Sequence, residues 1–127
     1  ESSKIAILGL CYKKNIPDIR LSPTLEIISI LKNKKVNFNI CDPHYENVDE
    51  NFDKMLVPIT EIFKNSDAIM LITDHDVFKT LDLSLIKKEM RTPIIIDGRN
   101  FFSKSEVRQS GFQYSAIGKP NDKYNEN

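Results

Sequence analysis

The apolar residues of this chain fall into short continuous runs, separated by segments in which apolar positions recur at helical spacing. Continuous β-branched runs without apolar–polar alternation are typical of strands buried on both faces. A proline at position 58 favours an edge position for the run that contains it. Six candidate strands are present: residues 4–9, 36–41, 55–59, 68–73, 93–97 and 112–117.

Four helices are predicted between these strands, at residues 22–35, 60–66, 82–90 and 103–110. Ser22 and Pro23 supply an N-cap and a first-turn proline for the first of them. The stripe of that helix expected to face the sheet comprises Leu25, Ile28 and Leu31, widened by Ile27 and Ile30. Alternation of strands and helices predicts an α/β fold, a three-layer α/β/α Rossmann-like open parallel sheet of five or six strands in the order 3-2-1-4-5(-6).

Length and composition limit the number of domains, the classes of partner and the cellular compartment that we expect. The 127 residues suffice for one domain, expected to span residues 1–118 and to be followed by a polar, mobile tail at 119–127. Lys plus Arg equals Asp plus Glu at 18 each, so charge favours neither nucleic acid nor a membrane surface as partner. No run is long enough to span a bilayer, no signal peptide is visible, and Cys11 and Cys41 lack metal-ligand spacing. We therefore expect a cytoplasmic, reduced domain without a metal.

Polar side chains concentrate in loops where ligands of open α/β sheets bind, beyond the carboxyl ends of the strands. Three such loops contain residues 12–20, 73–76 and 97–100. Their strands are neighbours in the predicted order, so Lys13 and Arg99 are expected to overlook one crevice, as a diphosphate ligand requires. The dinucleotide fingerprint is missing, because Gly9 is not followed by the second and third glycines that GxGxxG needs. We do not expect this domain to bind NAD.

Each of these polar residues also has a plainer interpretation. Lys13 and Arg20 could be solvated loop cations, since surface charge is usual. His75 could cap the helix that follows it, and Asp97 could belong to a simple turn. Asp18 could orient its own loop or pair with Arg20. The spacing of these residues leaves both interpretations open.

The order of motifs is similar to that of a known family. The segments GLCYKKN (9–15) and DIRLSP (18–23) resemble the G-L-A-F-K-x-x-T-D-D-x-R-x-S-P signature. This signature opens the C-terminal domain of the UDP-glucose/GDP-mannose dehydrogenase family. Further segments follow in the family's order at residues 42–43, 73–78, 97–100 and 114–118. The resemblance extends over nearly the whole chain.

The resemblance implies a substrate-binding role. Family members oxidise the C6 alcohol of a UDP-sugar to a carboxylate and consume two NAD⁺. Their N-terminal Rossmann domain binds NAD, and their C-terminal domain binds the nucleotide part of the substrate. By motif position, Lys13 would contact the phosphates, Tyr12 would pack against the ligand, and Arg99 would be the second cation. The resemblance gives His75 no definite contact. It assigns the organisation of the loops to Asp18, Arg20, Ser22 and Asp97.

This sequence departs from the signature at Cys11, Tyr12, Ile16, Pro17 and Leu21. Ile16 and Pro17 replace Thr and Asp and remove a hydroxyl and a carboxylate from the loop. Residues 73–76 are more similar to members that act on UDP-N-acetyl-mannosamine than to those that act on UDP-glucose. The resemblance also implies a homodimeric parent enzyme with a central helical domain, serving surface polysaccharide synthesis.

No catalytic residue is expected in this chain. The nucleophilic cysteine of the family lies in a glycine-rich motif of the central domain, and neither Cys11 nor Cys41 has such surroundings. The alternative is a non-catalytic flavodoxin-like receiver module, which requires an acidic pair after strand one, where this chain is basic. A free-standing nucleotide-binding enzyme would need a nucleophile and base that the sequence does not provide.

Overall fold

A computed structural model of the protein describes residues 3–10, 23–43 and 55–116. Within these ranges the chain forms five strands, three α-helices and one short 3₁₀ helix. In chain order they are β1 Lys4–Leu8, α1 Pro23–Asn33, β2 Asn37–Cys41, β3 Ala68–Leu71, the 3₁₀ helix Asp76–Thr80, α2 Leu83–Glu89, β4 Ile94–Asp97, α3 Lys104–Gln109 and β5 Gln113–Ala116.

All five strands are parallel and lie in the order β2-β1-β3-β4-β5. The predicted edge strand at 55–59 is reduced to one parallel bridge, between Leu56 and Ile40 of β2. Pro58 follows that bridge and has no N–H with which to continue the ladder. If the bridged segment at 55–59 is counted as the third of six strands, their order across the sheet is 3-2-1-4-5-6, as predicted. The α/β fold class is thereby confirmed.

Helices cover the sheet on both faces. On one face α1 buries Ile28 and Leu31 against Ile7 and Ile40 of the sheet. The opposite face carries the larger core cluster, in which α2 and α3 contribute Ile86 and Val107 beside sheet residues such as Ile69 and Leu71. The outer edge of α1 differs from the prediction, because Ile30 is 51% exposed instead of widening the buried stripe.

Side chains cap the starts of α2 and α3, and a glycine follows the end of α3. The Asp82 carboxylate caps α2 by accepting from the amides of Ser84 and Leu85, and the Ser103 hydroxyl caps α3 by accepting from the amide of Glu106. Gly111 follows α3 with a φ of 88°, a conformation that favours glycine.

The predicted helix at 60–66 was wrong. This segment forms only turns, and Asn65 adopts a φ of 59°. The Asn65 amide donates to the carbonyl of Glu89, at the end of α2, at 2.8 Å. So short a helix is marginal by itself. The tertiary hydrogen bond of Asn65 therefore decides the local conformation.

Several predictions concern residues outside the described ranges. They include the Ser22 cap, the loop at residues 11–22 with Cys11, and the tail at 119–127. Among the residues that the structure describes, no helix is long and apolar enough to cross a membrane.

Candidate functional site at the carboxyl edge of the sheet

The chain changes direction across the sheet between β1 and β3, since β2 lies on one side of β1 and β3 on the other. Gly9 leaves β1 at this switch point with a φ of 106°, and a Cβ there would lie 2.5 Å from both Cβ and N of Thr73. The Gly9 amide donates to the carbonyl of Cys41 at 2.9 Å, and its carbonyl accepts from the Thr24 hydroxyl at 2.8 Å. The backbone is therefore close-packed where open α/β sheets bind ligands.

Asp42 and His75 meet in the same region. Oδ2 of Asp42 lies 3.0 Å from Nε2 of His75 and accepts from the amide of Leu10 at 2.6 Å. Both side chains have no exposed surface. Because a carboxylate only accepts hydrogen bonds, we assign the hydrogen to Nε2 of His75. One carboxylate oxygen thus connects the loops that follow β1, β2 and β3.

His75 occupies the N-cap position of the 3₁₀ helix, as the alternative interpretation expected, and its carbonyl accepts from the amide of Phe78 at 3.0 Å. Its side chain makes no capping hydrogen bond to that helix. Its ring instead packs against Phe78, with ring centroids 5.8 Å apart. The imidazole is held between Phe78 and the carboxylate of Asp42.

Arg99 lies at the same edge, in the loop after β4. Its Nε donates to the carbonyl of Ile72 at 2.9 Å, and its Nη1 lies 3.9 Å from Oδ1 of Asp74. The side chain is 34% exposed. The segment after β3 therefore anchors the guanidinium and leaves it accessible from solvent.

Asp97 shapes the loop that presents Arg99. Its Oδ1 accepts from the amide of Arg99 at 2.9 Å. Its Oδ2 accepts from the amides of Phe101 and Phe102 at 2.7 and 2.8 Å and from the Tyr114 hydroxyl at 2.8 Å. Burial, followed by the hydrogen bond to the Asp97 carboxylate, raises the pKa of Tyr114 above its ordinary value. Asp97 is fully buried, so its carboxylate acts within the loop.

The structure brings three of the predicted site residues together at one edge of the sheet: His75, Asp97 and Arg99. The others lie outside the described residues; they are Tyr12, Lys13, Asp18, Arg20 and Ser22. The sequence pattern gave Asp42 no role beyond its place in a family segment at 42–43, and it did not indicate Tyr114 as a partner of Asp97. A signal for Asp42 was present, because a carboxylate directly after the strand beside β1 must lie at the ligand-binding edge.

Clefts of different size border this edge in the described part of the chain. One, of about 460 Å³, lies beside Asp42 and is lined by Cys41, Pro43 and residues 56–59. A larger one, of about 810 Å³, lies between the 3₁₀ helix and α3 and contains neither Asp42, His75 nor Arg99. Volume alone therefore does not locate a site at this edge. Among the described residues, no group of three His, Cys, Asp or Glu side chains is arranged to hold a metal ion.

Comparison with known proteins gives consistent matches. Residues 6–104 match the UDP-glucose/GDP-mannose dehydrogenase family, UDP binding domain. The chain is 37% identical over 124 residues to UDP-glucose 6-dehydrogenase of Rhizobium meliloti (strain 1021), covering 93% of the chain and 28% of that protein. It is 36% identical over 115 residues to UDP-N-acetyl-D-mannosamine dehydrogenase of Pyrococcus horikoshii, covering 91% and 25%.

Solved structures agree. The UDP-D-ManNAc dehydrogenase from Pyrococcus horikoshii superposes with a TM-score of 0.73 at 35% identity, over 92% of this chain and 26% of that one. The NDP-N-acetyl-D-galactosaminuronic acid dehydrogenase from Methanosarcina mazei Go1 superposes with a TM-score of 0.84 at 25% identity, over 100% and 27%. The chain thus spans about a quarter of the length of these relatives.

Proposed function

Because this chain belongs to the UDP-glucose/GDP-mannose dehydrogenase family, as its UDP-binding domain, we propose that it binds the UDP part of a UDP-sugar. The match over residues 6–104 carries this proposal. The parent enzyme would oxidise the sugar C6 alcohol to a carboxylate with NAD⁺. UDP-N-acetyl-mannosamine and UDP-glucose are the proposed substrates, because relatives are named for each.

The charges at the carboxyl edge support a diphosphate ligand. Arg99 is anchored by Ile72 and Asp74 with a third of its surface exposed, so a phosphate can reach the guanidinium from solvent. Guanidinium groups form the strongest contacts with phosphate oxygens when they are held in one orientation. Lys13 is proposed as the second cation and Tyr12 as a packing partner of the ligand. Asp97 is proposed to organise the loop, as are Asp18, Arg20 and Ser22.

The orientation of Asp42 supports a division of labour between domains. In dinucleotide-binding Rossmann domains, an acidic residue in the corresponding region bonds the ribose of the ligand. Asp42 follows the second strand here, but its carboxylate points inward and is fully buried. We therefore propose that NAD is bound by an N-terminal domain of the parent enzyme and that this domain binds the substrate nucleotide.

The parent enzyme is further proposed to be a cytoplasmic homodimer with a central helical domain, working in surface polysaccharide synthesis. A free Cys41 thiol is consistent with a reducing compartment.

Isothermal titration of the chain with UDP tests the proposed function. We expect saturable one-to-one binding that Lys13→Ala and Arg99→Ala each weaken, because each removes a charge-assisted phosphate contact worth about 1.5–3 kcal/mol. Matched controls are Lys64→Ala, which removes an exposed lysine paired with Glu61, and Arg108→Ala in the last turn of α3. Both controls should retain wild-type affinity.

Two results would contradict the proposal. One is the absence of UDP binding by a chain that shows cooperative thermal unfolding. The other is unchanged affinity in both Lys13→Ala and Arg99→Ala, which would remove these cations from the site even if UDP binds elsewhere.

A further inference from the structure

Asp42 and His75 form a buried polar contact just after β2 and β3, at the ends of the strands where the nucleotide site is proposed. We propose that these two residues are positioning residues of that site, which hold Leu10, at the exit of β1, against the segment after β3. Neither needs to touch the ligand. This inference rests on the proposed function, since it concerns how the same site is kept in its binding geometry.

The first step concerns the loop after β1. Oδ2 of Asp42 accepts from the amide of Leu10 at 2.6 Å, and Leu10 precedes Lys13 by three positions. The preceding residue, Gly9, is already held by its hydrogen bonds to Cys41 and Thr24. Asp42 therefore fixes Leu10, the last residue after β1 that the structure describes, on the side of the chain that leads to position 13.

The second step concerns the segment after β3. His75 bonds the same carboxylate oxygen through Nε2. This histidine ends the segment 72–75, whose Ile72 carbonyl and Asp74 carboxylate contact the guanidinium of Arg99. A displacement of His75 would therefore shift the support of the other proposed cation. One carboxylate oxygen thus joins Leu10, after β1, to the segment that supports Arg99.

The third step concerns the energetic cost of the pair. A buried carboxylate and imidazole lose hydration, and apolar residues of similar volume are often as stable or more stable at such positions. Stability is therefore a weak reason for this pair, whereas fixing one loop arrangement is a role attested for buried polar contacts. The pair lies at the switch point of the sheet, so the loop arrangement that it fixes is the one at the proposed nucleotide site.

The amino-terminal ends of the strands, opposite the proposed site, carry a carboxylate that can serve as a matched comparison. There Asp67 accepts from the amide of Lys4, the Thr92 hydroxyl and the guanidinium of Arg91. It thus connects β1 to the segments before β3 and β4, as Asp42 does at the carboxyl edge for β1, β2 and β3. Because Asp67 lies at the far ends of the strands, its replacement should affect stability without altering the nucleotide site.

The experiment measures UDP affinity by isothermal titration and the melting temperature for wild type, His75→Ala, His75→Gln, Asp42→Asn and Asp67→Asn. We expect His75→Ala to weaken UDP binding about tenfold, because it leaves the buried Asp42 carboxylate without one donor. His75→Gln should stay within about threefold of wild type, since its amide can donate from a position near Nε2. Asp67→Asn should lower the melting temperature yet keep UDP affinity within about twofold of wild type.

Asp42→Asn decides the matter if His75→Ala does not fold. It retains an oxygen acceptor but loses the charge, and we expect UDP binding about fivefold weaker than in wild type. The proposal is overturned if the folded His75 and Asp42 variants bind UDP as wild type does, or if His75→Gln binds as weakly as His75→Ala. Absence of UDP binding by folded wild-type protein would instead refute the proposed function itself.

Discussion

Cys41 ends β2 beside Asp42, yet its surroundings make its thiol inert. The side chain is 3% exposed. Burial, followed by the negative charge of Asp42, raises the pKa of Cys41 from 9.0 to about 12. The thiolate is the nucleophilic form of cysteine, so a thiol with this pKa is almost entirely unreactive near neutrality. At the residue scale, the structure gives a physical reason why Cys41 is unsuited to covalent catalysis.

Alkylation followed by peptide mass spectrometry checks this conclusion. At about pH 8, iodoacetamide should modify the Cys41 peptide at least roughly a hundredfold more slowly in the native chain than in urea, because both access and the thiolate fraction are low. After a rise of about one pH unit, the native thiol should still react far more slowly than the thiol in urea, because it remains well below its pKa. Rapid native alkylation of Cys41 would show that the thiol is neither buried nor raised in pKa.

At the scale of secondary-structure elements, the close approach of the chain after β1 to the chain after β3 requires a glycine at position 9. Gly9 combines a φ of 106° with backbone contact against Thr73. Any side chain would meet both difficulties, since L residues rarely adopt this φ and Thr73 occupies the space. The close approach of these two segments keeps the exits of β1 and β3 adjacent at the site.

Gly9→Ala is expected to lower the free energy of unfolding by about 3 kcal/mol, from the combined costs of backbone strain and overpacking. Urea denaturation followed by circular dichroism measures this change. Gly111→Ala is the matched control, because Gly111 also has a positive φ but its nearest atoms belong to the flexible end of the Lys87 side chain. Equal losses in the two variants would show that contact with Thr73 adds nothing to the backbone cost.

At the scale of the whole molecule, strand order alone does not distinguish the candidate functions. The order β2-β1-β3-β4-β5 is also that of flavodoxin-like proteins, the class of the alternative receiver interpretation. The residues at the strand ends do distinguish them. A receiver of that kind needs an aspartate at the end of its third strand, whereas β3 ends here at Leu71 and is followed by Ile72 and Thr73. Together with the family match, this favours nucleotide binding.

The chain by itself is expected to bind UDP without oxidising a UDP-sugar. Incubation with NAD⁺ and either UDP-glucose or UDP-N-acetyl-mannosamine should give no increase in NADH absorbance, because covalent oxidation requires an ionisable nucleophile and Cys41 does not supply one. Controls are a complete dehydrogenase of the same family and a UDP titration showing that the sample is folded and competent. NADH formation that depends on this chain would contradict the expectation.

Sequence by itself determined the features that depend on local physics. Continuous β-branched runs predicted buried parallel strands, and the helices predicted at 82–90 and 103–110 agree with α2 and α3 to within a residue or two at each end. These signals are readable because capping and strand burial act over a few neighbouring residues. The helix predicted at 60–66 was wrong, because a hydrogen bond from Asn65 to the distant Glu89 decides the conformation of this segment.

Only the tertiary structure decided which side chains work together at the site. Asp42 and His75 are 33 positions apart, and Asp97 and Tyr114 are 17 apart. Their contacts depend on strand pairing and register, which place Leu8 beside both Cys41 and Leu71 and bring the following loops together. Sequence could place polar residues at one edge of the sheet, because parallel strands align their carboxyl ends. It could not pair them, because hydrogen bonds are formed by atoms in space and a single sequence does not specify their distances.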